Sequence, residues 1–310
     1  MGKWIGPVFL LLLRGLAFTY GALPLRLQRA LGKVLGRLLY AIRFRLAVVQ
    51  RNLDVAFSSP AEENRRQRIL RASYDHFGGL ILDILMLLGP LKSYVLKNVE
   101  LLGNENIDAA LREGRGILFL SSHLGNWEMM AAAGGLHTRA KLLMVTKRIK
   151  PDWLHRAIER GRSRCKVRAT YEPQTLKDVL AHLKKGEAVG FVLDQYSGPP
   201  VGVRVPFFNV PVGTPLIVAA LAKRTDAAVL PVETYRRPDG RWVVDVGPPV
   251  PWQAFPDRSY ELAANTAYYT SIIEKMILRH PEQWMWTHRR FKGDLSPLRE
   301  GEWQEGRTRT

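Results

Sequence analysis

Residues 116–128 read GILFLSSHLGNWE and place a short apolar run directly before a polar loop. A continuous apolar run of this length, bounded by turn-forming residues, is typical of a strand buried on both faces. Gly125 permits a tight turn after it. The stretch therefore predicts a strand, a turn and a helix, with His123 at the carboxyl end of the strand and Glu128 in the first helical turn.

The same alternation of apolar runs and amphipathic stretches continues along the chain and predicts an α/β fold, a layered mixed sheet flanked by helices. The last two strands are expected to form a hairpin through Pro238-Asp239-Gly240. Thr214-Pro215 is a favourable helix start. The predicted strands are 116–120, 141–145, 188–193, 227–232 and 241–246, and the helices between them are 126–136, 152–162, 174–185 and 215–225.

The segment from Trp4 to Leu25 is apolar and, as a helix, would be about 33 Å long, enough to cross a bilayer core. Arg14 lies at its centre and opposes insertion by about 2.5–3.5 kcal/mol. We expect an N-terminal membrane-anchoring helix that either spans or half-inserts; the alternative is an ordinary surface helix. The predicted organisation is 1–25 membrane anchor, 26–57 basic amphipathic surface region, 58–293 main α/β domain and 294–310 polar tail.

A basic amphipathic helix follows the anchor, with Leu27, Leu31, Leu35, Leu38 and Ile42 on one stripe and Arg26, Arg29, Lys33 and Arg37 on another. Such a helix suits an anionic membrane surface, and its cations predict a catalytic body on the cytoplasmic side. The chain carries 46 Lys and Arg against 28 Asp and Glu, a net charge of +18, so an anionic partner is expected. No base-reading or stacking motif indicates nucleic acid.

Two histidines are followed five positions later by an acid, His123…Glu128 and His182…Glu187. Reacting groups in such sheets collect at the carboxyl ends of the strands. His123 and Glu128 fit that position, whereas His182 and Glu187 are expected to be surface residues at the opposite edge. The turn at Gly125 should fold the Glu128 carboxylate back onto the imidazole.

This pair suits proton removal from a hydroxyl, because a carboxylate orients the imidazole and stabilises the imidazolium that forms. No GxSxG motif surrounds Ser121 or Ser122, and no base lies near Cys165, the single cysteine. Direct transfer to an alcohol therefore fits better than a covalent acyl-enzyme. No metal site is expected.

The chain resembles the bacterial lipid A late acyltransferases (lauroyl/myristoyl acyltransferases), within the wider glycerolipid acyltransferase group that shares a His-x4-Asp/Glu signature. The resemblance implies transfer of a fatty acyl chain from an acyl carrier protein or coenzyme A thioester, with no separate cofactor, to a hydroxyl of a phosphorylated membrane glycolipid at the bacterial inner membrane. The matching blocks are 123–128, 162–163, 183–186, 194–195, 206–208 and 281–292.

The resemblance further implies His123 as general base and Glu128 as its orienting partner. Substrate contacts are expected from Trp127, Arg162 or Arg164, Asp194, Gln195, Arg289 and Arg290. The loop YSGPPVGVRVPFF after Gln195 departs from many relatives, and others acylate mannosylated inositol lipids, so the acceptor stays open. Two further readings are a thioesterase or lipid hydrolase using His123, and a basic membrane-binding protein without turnover.

Overall fold

A computed structural model describes residues 5–256, 260–293 and 295–296. The helices are α1 Ile5–Ala22, α2 Leu25–Ala41, α3 Leu46–Ala56, α4 Glu63–Ile84, α5 Leu91–Asn98, α6 Asn104–Arg112, α7 Trp127–His137, α8 Asp152–Arg164, α9 Thr175–Lys184, α10 Ile217–Thr225 and α11 Glu261–Arg279. The strands are β1 Val99–Leu102, β2 Ile117–Ser121, β3 Leu142–Val145, β4 Val167–Thr170, β5 Ala188–Val192, β6 Gly202–Phe207, β7 Val210–Pro215, β8 Ala228–Arg236 and β9 Trp242–Val246. Short 3₁₀ turns cover Pro60–Glu62, Leu85–Leu88 and Pro281–Gln283.

Seven strands form one mixed sheet in the order β1-β9-β8-β2-β5-β3-β4, and β6 and β7 form a separate antiparallel hairpin. Strand β2 lies at the centre, parallel to β8 and β5. Strand β9 runs antiparallel to β8, as predicted for the hairpin through Gly240, and β1 is parallel to β9. The predicted mixed α/β sheet is therefore confirmed.

Strand β2 is buried on both faces because every one of its residues faces a packed layer. Leu118 and Leu120 belong to the core on the side of α3, α4 and α11, whereas Ile117 and Phe119 belong to the core on the side of α5, α7 and α8. Each such side chain contributes about 1.5–3 kcal/mol when fully buried. The central strand thus holds the loop that follows it between two helical layers.

The predicted helix start at Thr214-Pro215 is wrong. The hairpin partner β6 pairs with β7 as far as Pro215, and the Thr214 hydroxyl accepts a hydrogen bond from Arg290 at 2.6 Å. The hydroxyl is therefore engaged within the hairpin, and α10 begins only at Ile217.

The N-terminal helices pack on the sheet domain through small residues. Helix α2 crosses α4 where Gly32 and Gly36 meet Gly78 and Gly79, and a Cβ atom at Gly36 would lie 2.1 Å from the Tyr74 carbonyl oxygen. In α1, the Arg14 guanidinium donates to the Leu88 carbonyl at 3.2 Å. Within the described residues, we find no helix that combines the length and apolar character needed to cross a membrane.

The outward faces of α1 and α2 nevertheless carry many large apolar side chains. Leu11 is 70% exposed and Leu38 is 59% exposed, although the opposite faces of both helices pack on the protein. The other exposed apolar residues of this surface are Val8, Phe9, Leu12, Leu16, Phe18, Leu27, Leu31, Val34, Ile42 and Phe44. We call this set the N-terminal apolar surface. The predicted polar tail at 294–310 lies outside the described residues except for Leu295 and Ser296.

Candidate active site

The loop after β2 holds His123 through backbone contacts on both sides. Gly125 donates its N–H to the Gln283 carbonyl at 2.9 Å, and the Met285 N–H donates to the His123 carbonyl at 3.1 Å. Gly125 has a φ of +60°, and a Cβ there would lie 2.1 Å from the Thr234 carbonyl oxygen. Only glycine fits this turn, as the sequence predicted, and the turn fixes the position of His123.

The carboxylate that contacts the His123 imidazole is that of Asp194, not that of Glu128. His123 Nδ1 lies 2.7 Å from Asp194 Oδ1, and the His123 backbone N–H donates to Asp194 Oδ2 at 2.7 Å. The topology explains the pairing, because Ser121 at the end of β2 pairs with Val192 at the end of β5. His123 and Asp194 each follow by two residues and so meet at the carboxyl edge of the sheet.

Asp194 is buried, and three hydrogen bonds satisfy its carboxylate. The third comes from Trp284, whose indole Nε1–H donates to Oδ2 at 2.6 Å. Burial acts to raise the pKa of Asp194, but the electrostatic interaction with His123 and these hydrogen bonds outweigh it and lower the pKa below its ordinary value. Asp194 is thus held ionised beside the imidazole.

This contact assigns the imidazole proton. A carboxylate oxygen accepts hydrogen bonds, so Nδ1 carries the hydrogen and Nε2 presents its lone pair. The Gln195 side-chain nitrogen lies 3.3 Å from Nε2, with its amide hydrogens able to donate there. Trp127 packs edge-on against the imidazole, with ring centroids 4.7 Å apart. Asp194, Gln195 and Trp127 therefore all lie at His123, whereas the sequence named them only as supporting or substrate contacts.

The expected fold-back of Glu128 onto His123 does not occur. Arg162 on α8 donates two hydrogen bonds to the Glu128 carboxylate from one edge of its guanidinium, Nε to Oε2 at 3.0 Å and Nη2 to Oε1 at 2.5 Å. Asn126 caps α7 by accepting from the Glu128 and Met129 backbone N–H groups. The capped helix directs the Glu128 side chain towards α8. The five-residue spacing predicted His123 as the partner of Glu128, but the partner is Arg162.

Arg162 is therefore a buried cation within an ion-pair cluster and not a free phosphate ligand. Its third nitrogen donates to Glu159 at 2.8 Å, and the side chain is 4% exposed. Burial alone lowers the pKa of Arg162, but its bonds to the two carboxylates raise it above the ordinary value. Arg164 is exposed at the end of α8, next to the start of β4, which pairs with the start of β3. It lies at the opposite edge of the sheet from His123.

The two arginines of the C-terminal block also separate. Arg290 is 1% exposed and donates to the carbonyls of Gln195 and Gly213 and to the Thr214 hydroxyl. Burial lowers the pKa of Arg290 to about 10. Its guanidinium braces the loop after β5 instead of facing substrate, so the expectation that it contacts phosphate is wrong. Arg289 is exposed.

The second His-x4-acid pair, His182 and Glu187, is largely buried, although it was expected at the surface. His182 Nε2 lies 3.4 Å from Glu187 Oε2, and both side chains are largely buried. The prediction that they are surface residues is wrong, because β5 brings Glu187 back against the end of α9.

An apolar pocket of about 590 Å³ begins beside this site and runs between α7 and the sheet. Trp127 and Ser121 line it at the end near His123, and the remaining lining is entirely apolar, with Phe119 and Phe191 among aliphatic residues and methionines. Gly134 of α7 and Gly190 of β5 face it without side chains. The pocket was not predicted from the sequence, because Gly190 lies within an apolar strand segment and nothing around it indicates a cavity. We call it the apolar pocket.

Comparison with known proteins agrees with this architecture. The chain is 29% identical to the lipid A biosynthesis lauroyltransferase of Escherichia coli strain K12, over 90% of this chain and 89% of that protein. It is also 29% identical to the palmitoleoyltransferase of lipid A biosynthesis from the same strain, over 81% and 80%. A phosphatidylinositol mannoside acyltransferase of Mycobacterium tuberculosis strain H37Rv is 28% identical over 64% and 61%. Residues 2–293 match the model of one family, and the chain accordingly belongs to the bacterial lipid A biosynthesis acyltransferases.

Proposed function

We propose that the protein is a membrane-associated O-acyltransferase that moves a fatty acyl chain from a thioester to a hydroxyl of a phosphorylated glycolipid, with a lipid A precursor as the first candidate acceptor. The observation that carries the proposal is the His123–Asp194 pair, with its basic nitrogen beside an apolar pocket. The acyl-transferring relatives support the reaction class. The inositol mannoside relative makes a mannosylated inositol lipid the alternative acceptor.

In the proposed reaction, His123 Nε2 takes the proton of the acceptor hydroxyl as its oxygen attacks the thioester carbonyl carbon. Asp194 holds Nδ1–H and stabilises the imidazolium that forms. The Gln195 amide, already a donor at Nε2, is suited to stabilise the oxyanion of the tetrahedral intermediate. The C–S bond then breaks, and the proton passes from His123 to the departing thiolate, giving an ester and a free thiol.

The apolar pocket is the proposed binding site for the acyl chain. Its apolar lining is that of a small-ligand site, and Trp127 joins it to the imidazole. A chain held there would present its thioester carbonyl at His123. The donor is either an acyl carrier protein or acyl-coenzyme A, since the basic protein surface suits the acidic groups of both.

The proposed location is the cytoplasmic face of the bacterial inner membrane, with the N-terminal apolar surface in contact with lipid. Exposed apolar residues on α1 and α2 adjoin the cations Arg26, Arg29, Lys33 and Arg37 on α2. This combination favours an anionic bilayer surface.

Incubation of the purified protein with a labelled acyl thioester and a micellar lipid A precursor tests the proposal. We expect label in the glycolipid. Labelled free fatty acid alone would identify a hydrolase that activates water with the same imidazole, and no product with any of the named donors and acceptors would contradict the proposal.

Chain-length preference provides a second test, at Gly190. A Cβ there meets nothing closer than 3.9 Å, so a side chain is accommodated and projects into the apolar pocket. We expect Gly190→Leu to change the ratio of kcat/KM for short over long acyl donors by at least about tenfold in favour of the short, since each methylene in such a pocket counts for about 1–3 kcal/mol. Gly190→Ala is the graded control and should shift the ratio less. An unchanged ratio in a folded Gly190→Leu protein would place the acyl chain elsewhere.

A further inference from the structure

A second, polar cavity of about 1140 Å³ opens between α2, α4 and the β8–β9 hairpin. It shares no lining residue with the apolar pocket. Four cations and two acids line it, together with two histidines, a tyrosine and Gln283. The charged residues are Arg29, Lys33, Arg236 and Arg237 against Asp75 and Glu282. We call this cavity the cationic cleft.

The positive charge of the cationic cleft is only partly neutralised. Lys33 is exposed and makes no hydrogen bond or salt bridge within the described residues, and the opposing charge that acts on it is that of Asp75. Arg236 pairs with Asp83 at 2.8 Å, yet its buried Nε–H has no hydrogen-bond acceptor in the described part of the chain. An anion entering the cleft would therefore find unused donors.

One wall of the cationic cleft is aromatic. Tyr235 and His280 stack with their ring centroids 4.1 Å apart and their planes 18° apart. The Glu282 carboxylate and the Gln283 residue adjoin this wall. A flat ring surface beside cations and an acid suits a phosphorylated sugar better than a bare phosphate ion, because it can contact the ring face and a hydroxyl group as well.

The cleft is built onto the catalytic loop. His76 lines the cleft, and its Nε2 lies 3.3 Å from the Gly125 carbonyl oxygen. Gln283 also lines it, and its carbonyl accepts the Gly125 N–H at 2.9 Å. Gly125 is two residues from His123, which keeps their Cα atoms within about 7–8 Å. The cleft and the catalytic loop therefore share His76 and Gln283 as neighbours, an arrangement that would let a hydroxyl of a bound sugar, or one on an attached acyl chain, approach His123.

The same helix joins the cleft to the lipid side of the protein. Arg29 and Lys33 on α2 line the cleft, and Leu31 and Val34 of the same helix belong to the N-terminal apolar surface. A glycolipid is the ligand that brings a phosphorylated head group and acyl chains to these two surfaces together.

We propose that the cationic cleft binds the phosphorylated sugar head group of the acceptor, with Arg29 and Lys33 contacting its phosphate. This inference rests on the proposed acyl transfer to a glycolipid, and it assigns phosphate recognition to α2 and the β8–β9 hairpin in place of Arg162 and Arg290.

The test compares two acceptors in neutral detergent micelles, a lipid A precursor with its sugar phosphates and the same lipid after phosphatase treatment. We expect Lys33→Gln and Arg29→Gln each to raise KM for the phosphorylated acceptor about tenfold, the factor equivalent to one lost contact of 1.4 kcal/mol. KM for the acyl thioester should stay within about twofold, and native and variant proteins should handle the dephosphorylated lipid alike. Arg224→Gln is the matched variant, because it removes an exposed charge from α10, outside both the cleft and the N-terminal apolar surface.

Each other outcome overturns the inference. An equal effect of Arg224→Gln, or an equal effect on the dephosphorylated lipid, would assign the loss to general surface charge. A rise confined to KM for acyl-coenzyme A would assign the cleft to a donor phosphate, and unchanged constants would remove the site. If the native protein transfers no acyl chain, the proposed function is wrong, but the proposed head-group site is not yet tested by that result. Direct binding of the phosphorylated micellar lipid to native and Lys33→Gln proteins then still decides the inference.

Discussion

Replacing Asp194 by Asn is expected to lower kcat for acyl transfer by about 10³- to 10⁴-fold, close to the loss from His123→Ala. Asp194 Oδ2 accepts from two fixed donors, the His123 backbone N–H and the Trp284 indole N–H. An Asn carbonyl oxygen would remain with those donors, so its NH₂ group would face Nδ1. The imidazole would then carry its hydrogen on Nε2, the atom that must accept the proton, and could not act as the base.

Matched measurements separate this role from a structural one. KM values for both substrates and the thermal unfolding midpoint of Asp194→Asn should stay close to native, because the substitution preserves shape. If Asp194→Asn keeps activity within about tenfold while an equally folded Glu128→Gln protein loses 10³-fold, the signature acid is the true partner and our assignment is wrong.

Much of the fold was predictable because its determinants are local. All five predicted strands and all four helices between them are present, with ends shifted by a few residues. Strands β1 and β4 and the β6–β7 hairpin were not predicted. VRAT lies on the sheet edge and lacks an apolar run, and the hairpin contains prolines at positions 206 and 211 that obscure a strand pattern. Their pairing depends on neighbours that are distant in sequence.

The site was predictable in its residue types but not in its contacts. The sequence placed His123 at the carboxyl edge, yet the acid beside it follows a different strand, 71 residues further on. The register of β2 against β5 decides that meeting, and no local spacing encodes it. The control is His182, where the same five-residue spacing does bring the acid to the imidazole. A histidine and an acid five residues apart contact each other only when the backbone between them turns back on itself. The short turn between α9 and β5 does so for His182 and Glu187.

The second large effect is expected at the Arg162–Glu128 pair. Arg162→Met should lower the free energy of unfolding by about 3–5 kcal/mol, because it leaves the Glu128 carboxylate buried without its cation. The double variant Arg162→Met/Glu128→Leu removes both charges and should recover most of that loss. Denaturant unfolding of the two single variants and the double variant in neutral detergent measures the coupling. Glu159, the other partner of Arg162, is 26% exposed and can be hydrated instead.

The same cycle, measured for activity, tests what the signature glutamate contributes. The ion pair between Glu128 and Arg162 holds the first turn of α7 against α8. Trp127, in the same turn, packs on the His123 imidazole, so the ion pair positions Trp127. If Glu128 acts only through Arg162, the double variant should be more active than either single variant, and its pH–rate profile should match the native one. A double variant as inactive as Glu128→Gln, with native stability restored, would mean that the carboxylate itself takes part in the reaction.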